Sequence, residues 1–221
     1  MTLVSISGAC SRAGKTAAAV SLLQAAPPGA ASAVKFTTTD DVFERCPRGT
    51  TCVVCDIDVP FRIVEEPAVL REPGTDTARL GEAGAARVVW AIAQQSAVLR
   101  AWAAVKDRLA GAELVIMEGS TIVTVARPDL QVFVVHPWLS PERWKPTSAA
   151  CVAAADLVVI NRPASDVRPP SAEVLDALRA CGPRATVTVA DVTRPAEEWA
   201  PSVAGHLRPS GPRAAGAGVR A

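Results

Sequence analysis

The chain has 221 residues, of which 49% are hydrophobic, and its 23 basic and 22 acidic side chains leave a formal net charge of +1. This length suits one domain with a sizeable core, and the near-neutral charge argues against nucleic acid or an anionic membrane surface as a partner. No apolar run approaches the roughly 20 residues of a membrane span, so we expect a cytoplasmic protein without a membrane anchor.

Short apolar runs rich in β-branched residues alternate with helical patterns along the chain. The runs predict strands at 2–7, 31–36, 50–57, 86–91, 113–118, 130–135, 156–161 and 185–190. The helical patterns lie at 14–25, 93–110, 147–154 and 171–180. This alternation predicts an α/β fold: a three-layer, mostly parallel sheet with helices on both faces, and ligands at the carboxyl ends of its strands.

The chain divides into one predicted domain and a tail. Residues 1–200 form the domain, which carries a cysteine-bearing insertion at about 42–66. From Pro201 the sequence is rich in proline, glycine and alanine, with few large apolar groups. Such a segment buries too little to offset its ordering entropy, so we expect residues 201–221 to be disordered.

The segment "GACSRAGKT" follows the first predicted strand and opens the first predicted helix. Backbone amides at a helix N-terminus bind phosphate, and Gly-Lys-Thr ends the usual phosphate-binding loop (P-loop). We expect Lys15 to reach the β- and γ-phosphates of ATP or GTP, and the Thr16 hydroxyl to bind Mg²⁺. Ala9 stands at the usual first glycine, which requires ordinary dihedral angles there. The predicted nucleotide-binding residues are Ala9, Cys10, Ser11, Arg12, Ala13, Gly14, Lys15 and Thr16.

Carboxylates follow three predicted strands, and a Mg²⁺-nucleotide site needs such a group near the metal. Glu118 ends an apolar strand and precedes a glycine, which suits contact with the metal or with the attacking group. Asp56 is a further candidate metal ligand, and Asp40 is a candidate catalytic base. The alternative for these acids is that loops after strands are simply polar.

Two later segments are candidate nucleotide contacts. The turn at residues 73–76 places Asp76 before an amphipathic stretch, together with Thr75 and Arg79. This loop either holds a substrate or phosphate, or Asp76 is an ordinary helix cap. Asn161 ends the strand "DLVVIN", where its amide can pair with a purine edge; the alternative is a turn residue ahead of a proline.

Cys46, Cys52 and Cys55 lie within ten positions and include a C-x-x-C pair. Such a pair can bind Zn²⁺ or an iron–sulfur cluster. However, "TTCVVCDI" also reads as a strand, which would point Cys52 and Cys55 to opposite faces as ordinary core residues.

Four segments together resemble the molybdopterin-guanine dinucleotide biosynthesis protein B family. They are "SISGACSRAGKT", "AVKFTTTDD", "EPGTDTARLGEAGAARVV" and "ELVIMEGS". That family belongs to the P-loop NTPases that include dethiobiotin synthetase and metallocentre-assembly ATPases. The resemblance implies a GTP- or ATP-binding α/β fold that is often a homodimer. It also implies Lys15 and Thr16 on phosphate and Mg²⁺, Asp76 in the second loop, and Glu118 near the metal or attacking group.

These observations predict an enzyme that hydrolyses a Mg-NTP or transfers its phosphate to a small-molecule acceptor in cofactor or metabolite biosynthesis. In this prediction the loops at 73–79 and 136–145 hold the acceptor, and Lys15, Glu118 and Asp40 are catalytic. The alternative is a nucleotide-gated metallocofactor assembly factor or a GTP-binding adaptor, with Cys46, Cys52 and Cys55 binding metal.

Overall fold

The computed structural model describes residues 1–39 and 59–207. Its eight-stranded sheet has the order β3-β4-β2-β5-β1-β6-β7-β8. The strands are β1 Thr2–Gly8, β2 Ala31–Thr38, β3 Phe61–Val64, β4 Val88–Ala93, β5 Leu114–Glu118, β6 Leu130–Val135, β7 Leu157–Asn161 and β8 Thr186–Ala190. All neighbouring pairs are parallel except β3 and β4. The predicted α/β fold with a mostly parallel sheet is therefore confirmed.

Helices cover both faces of this sheet. They are α1 Lys15–Ala25, α2 Pro67–Leu70, α3 Asp76–Glu82, α4 Val98–Arg108, α5 Val123–Ala126, α6 Ser148–Ala154, α7 Ala172–Ala180, α8 Ala196–Trp199 and α9 Pro201–His206. Alternate residues of β1 point to opposite faces, so Val4 and Ile6 pack in the core cluster that contains α1, whereas Leu3 packs with α4. None of the helices in the described ranges is long and apolar enough to cross a bilayer.

Residues 201–207 differ from the prediction of a disordered tail. They form α9 and the residue that follows it, and the side chains of Val203 in α9 and Leu207 after it are 1% and 2% exposed. These side chains join the core cluster of α1, together with Trp199 of α8. Two buried apolar groups thus anchor a segment whose composition alone favours disorder. Residues 208–221, like the predicted strand at 50–57, lie outside the described residues.

The remaining differences lie at short elements. The antiparallel edge strand β3, at Phe61–Val64, lies within the predicted insertion at 42–66 and was not predicted. The loop predicted around Asp76 is the beginning of α3. Helices of four to seven residues carry too little periodicity to be seen in a sequence, which explains why α2, α3, α5, α8 and α9 were missed.

Candidate functional site

The loop between β1 and α1 has the geometry of an anion-binding turn. No side chain of the described residues caps the N-terminus of α1, so its first amide groups remain for a ligand. Ala9 hydrogen-bonds through its amide to the Val134 carbonyl at 3.0 Å. Among described non-glycine residues, positive φ angles occur at Arg12 and Arg127. Ala9 therefore keeps an ordinary conformation, as the missing first glycine requires.

Gly14 and Asn161 are packed directly against each other. Gly14 has a φ of 107°, and a Cβ atom there would lie 2.2 Å from the Asn161 amide nitrogen. That nitrogen donates to the Ala13 carbonyl at 3.0 Å, while Asn161 Oδ1 accepts from the Val192 amide at 3.3 Å. Asn161 thus braces the loop against the segment after β8. Its amide group still has one donor and one acceptor site for a ligand.

Lys15 crosses the loop from the start of α1. Its Nζ donates to the Cys10 carbonyl at 2.7 Å, and its stem passes Gly8, where a Cβ atom would lie 2.9 Å from Lys15 Cγ. Burial lowers the pKa of Lys15 to about 8, although the Glu118 carboxylate opposes this shift. The ammonium is therefore held inside the loop in a poorly solvated position, where an anionic ligand would stabilise its charge.

Thr16, Glu118, Lys35 and Asp76 form one hydrogen-bonded network beside the loop. Thr16 Oγ1 donates to Glu118 Oε2 at 2.9 Å. Lys35 Nζ lies 2.7 Å from both Glu118 Oε1 and Asp76 Oδ2. The network joins α1, β5, β2 and α3, and Glu118 is only 1% exposed.

The charges of this network stabilise one another. Burial alone would lower the pKa of Lys35, but the carboxylates of Glu118 and Asp76 outweigh it, so that pKa is raised. Burial would raise the pKa of Asp76, but the charge and hydrogen bond of Lys35, with a hydrogen bond from Thr16, lower it. Lys35 and Asp76 are consequently held in their charged forms.

A cleft of about 380 Å³ opens over these groups. It is lined by Ser11, Arg12, Gly14, Lys15, Thr16, Ala17, Lys35, Asp76 and Arg79. Four of these side chains are cationic and one is anionic, which is the charge balance of a phosphate site. A first strand leading into an uncapped helix, with an acid ending the adjacent strand β5, makes this the P-loop NTPase fold.

A second cleft, of about 530 Å³, lies at the carboxyl ends of β7 and β8. Its lining includes Arg162, Asp191, Arg194 and Trp199. Asp191 accepts hydrogen bonds from the Ala164 amide and from the amide and hydroxyl of Thr193. Burial alone would raise the pKa of Asp191, but these hydrogen bonds and the nearby Arg194 charge outweigh it, so that pKa is lowered. The first residue of its lining, Arg162, directly follows Asn161 in the chain.

The structure brings together most of the predicted site residues that it describes. Lys15, Thr16 and Asp76 line the first cleft, Glu118 is buried next to it and accepts a hydrogen bond from Thr16, and Asn161 contacts its loop. Cys10, within the same loop, is buried. The cap of α3 is Thr75, whose hydroxyl accepts from the Ala78 amide, so the interpretation of Asp76 as the cap is wrong.

Lys35 lines the first cleft but was not among the predicted site residues. Two signals pointed to it, because it is one of only four lysines and it lies in a predicted strand. Five predicted residues lie outside the described part of the chain: Asp40, Asp56, Cys46, Cys52 and Cys55. Their roles stay predictions.

Comparison with known proteins gives little beyond this geometry. No family model matches the chain, and no curated protein matches it. A crystal structure of HypB from Helicobacter pylori in complex with nickel aligns with 94% of this chain and 84% of that one. The two sequences are 15% identical and the TM-score is 0.47. A likeness of this degree says nothing about activity.

Proposed function

We propose that this chain is a nucleotide-binding protein that hydrolyses a Mg-NTP or transfers its terminal phosphate to a small-molecule acceptor. One observation carries the proposal: Thr16, which lines the cationic cleft together with Lys15 at the uncapped start of α1, hydrogen-bonds to the buried Glu118. This arrangement supplies phosphate donors and metal-binding oxygens side by side, as phosphoryl transfer requires.

Each group in the cleft has a role that follows from its chemistry. The α1 amides and the Lys15 ammonium bind the phosphates. Thr16, Asp76 and Glu118 offer the hard oxygen ligands that Mg²⁺ prefers, and the Lys35 ammonium already occupies a cation position between the two carboxylates. The metal, when bound, neutralises charge on the phosphates. Arg12 and Arg79 line the same cleft and stabilise negative charge on the transferred group.

The second cleft suits the nucleobase. Its lining residue Arg162 directly follows Asn161, and the free donor and acceptor of the Asn161 amide suit a purine edge. The planar guanidinium groups of Arg162 and Arg194 can stack on such a ring. Direct competition between ATP and GTP for binding decides which base the cleft prefers.

The proposal is tested by nucleotide binding and hydrolysis with Mg²⁺, with and without a panel of small metabolites. Lys15→Ala is expected to abolish turnover, because it removes the cation that faces the phosphates. Lys106→Ala is the matched control, since Lys106 is an exposed lysine of α4. Hydrolysis that survives Lys15→Ala unchanged would show that the loop is misassigned.

Two more specific roles rest on the sequence alone. A part in molybdenum-cofactor biosynthesis rests on the sequence resemblance, and metal binding by Cys46, Cys52 and Cys55 rests on their spacing, outside the described residues. Metal analysis of the purified protein tests the assembly-factor alternative. Stimulation of turnover by one metabolite, and not by a partner protein, favours the phosphotransferase.

A further inference from the structure

The side chains proposed as metal ligands already surround a cation that belongs to the protein. Lys35 Nζ lies 2.7 Å from Asp76 Oδ2 and 2.7 Å from Glu118 Oε1. Thr16 Oγ1 donates a hydrogen bond of 2.9 Å to the other carboxylate oxygen of Glu118. All three oxygen ligands are thus engaged within one network that contains Lys35.

The positions of these groups in the fold make Lys35 a necessary counter-charge. The side chains of Glu118 and Lys35 are 2% and 18% exposed, so water screens their interaction poorly. Glu118 is fixed at the end of β5 and Asp76 at the start of α3. Without a cation between them, the two carboxylates would repel each other in a partly desolvated site.

A divalent cation that uses the same oxygens must displace the ammonium. Mg²⁺ takes oxygen ligands at close to 2.1 Å in a near-octahedral arrangement, which leaves no room for an ammonium hydrogen-bonded to the same carboxylate oxygens. Lys35 has a flexible four-carbon stem anchored in β2, and it also lines the cleft that contains Arg12 and Arg79. The released ammonium therefore stays within reach of a bound anion.

We propose that Lys35 is a positioning residue that holds Asp76 and Glu118 together before the metal binds. When the metal binds, it displaces the Lys35 ammonium from the network, and the ammonium moves into the first cleft. This inference rests on the proposed function, because it assigns the divalent-metal ligands named there. It adds a competition between an internal lysine and the metal, which sets how tightly the protein binds metal in the absence of nucleotide.

The test measures Mn²⁺ binding to the nucleotide-free protein by electron paramagnetic resonance or calorimetry. Lys35→Met removes the competing charge and keeps much of the side-chain volume. It is expected to bind Mn²⁺ at least about tenfold more tightly than the wild type, because the two carboxylates lose their internal partner. Lys35→Arg keeps the charge and is expected to bind Mn²⁺ no more tightly than the wild type. Lys106→Met is the matched control and is expected to change nothing.

A second measurement uses the unaltered protein and so does not depend on folding of the variants. Amine-reactive labelling of Lys35, followed by mass spectrometry, is expected to speed up several-fold when Mn²⁺ is added, whereas labelling of Lys106 stays constant. Unchanged or weaker Mn²⁺ binding by Lys35→Met, or Lys35 labelling that ignores Mn²⁺, overturns the exchange. Because neither measurement contains nucleotide, they separate this inference from the proposed function, which fails instead when the wild type binds no ATP or GTP.

Discussion

Lys35 and Glu118 are register partners on the neighbouring parallel strands β2 and β5, and their side chains meet in an ion pair of 2.7 Å. The same strand β5 pairs on its other side with β1, where Glu118 is the partner of Ile6. Glu118 therefore lies between β1, which leads into the loop before α1, and β2, which carries Lys35. Because of this central position, Glu118 is the first residue to substitute.

Glu118→Gln is expected to reduce nucleotide hydrolysis by roughly 10²–10⁴-fold, the range typical of a lost acid–base or charge-orienting group. Nucleotide binding in EDTA is expected to persist, because the α1 amides and Lys15 are unchanged. Steady-state hydrolysis and fluorescent-nucleotide binding measure the two effects. Glu113→Gln, at an exposed position just before β5, is the matched control. Equal hydrolysis by the two variants would remove Glu118 from the site.

Gly14→Ala tests the contact between the loop and Asn161. The added Cβ would lie 2.2 Å from the Asn161 amide nitrogen, in addition to the strain of its φ of 107°. We expect nucleotide affinity to fall by about tenfold or more, which corresponds to about 1.4 kcal/mol.

Further variants separate collision from backbone strain in this test. Gly111→Ala has a φ of 84° with nothing within 4 Å, so it carries only the strain of about 1–2 kcal/mol and is expected to keep its nucleotide affinity. Asn161 is also a proposed contact of the nucleobase, so the double variant Gly14→Ala/Asn161→Ala is compared with Asn161→Ala alone. Without the Asn161 amide to collide with, Gly14→Ala is expected to cost less affinity than it does in the wild type. An equal cost in both backgrounds would show that the collision is not the cause.

The sequence predicted the central fold well because its signals are local. β6 was predicted at 130–135 and observed at Leu130–Val135, since a short apolar run rich in valine and bounded by turns permits few other structures. The phosphate-binding loop was visible because Gly14, Lys15 and Thr16 are consecutive. By contrast, the pairing of Lys35 with Asp76 and Glu118 joins three elements far apart in the chain. Such a pairing depends on sheet order and register, which local patterns do not specify.

The same reasoning explains the error at residues 201–207. These residues are mostly small, so their composition gives no sign of a core. In the fold, Val203 and Leu207 pack in one core cluster with residues of α1 and with Trp199 of α8. The composition of a segment says nothing about the surface of the domain against which that segment packs. Leu207 was therefore assigned to a tail although it is 2% exposed in the fold.

Leu207→Ala tests whether that segment is part of the folded domain. Truncation of a buried leucine typically costs about 2–5 kcal/mol of the free energy of unfolding. Leu99→Ala is the matched control, because Leu99 is 65% exposed, and a change within about 0.5 kcal/mol is expected there. Chemical denaturation of both variants gives the comparison. Equal stabilities would mean that α9 does not dock on α1 in solution.

The Lys15 ammonium predicts a proton uptake when nucleotide binds. Burial lowers its pKa to about 8, and the charges of Lys145 and Lys35 act in the same direction, whereas the Glu118 carboxylate opposes them. Near pH 8, about half of the free protein therefore carries a neutral Lys15. Contact with phosphate favours the charged form and raises the pKa, so binding is expected to take up about half a proton at this pH.

Calorimetry in buffers of different ionisation enthalpy measures this uptake, and the sign of the pH dependence follows from it. Nucleotide affinity is expected to be flat below pH 7 and to fall by up to about tenfold per pH unit above pH 8, as free Lys15 loses its proton. The nearby Cys10 thiol has a raised pKa from its burial and stays neutral in this range, so Cys10→Ser is expected to leave the uptake unchanged. Loss of the uptake in Cys10→Ser, or an affinity that rises with pH, would contradict the assignment. Lys15→Arg stays protonated at every pH tested, and its binding is expected to show no uptake near pH 8, because an arginine has no proton left to gain.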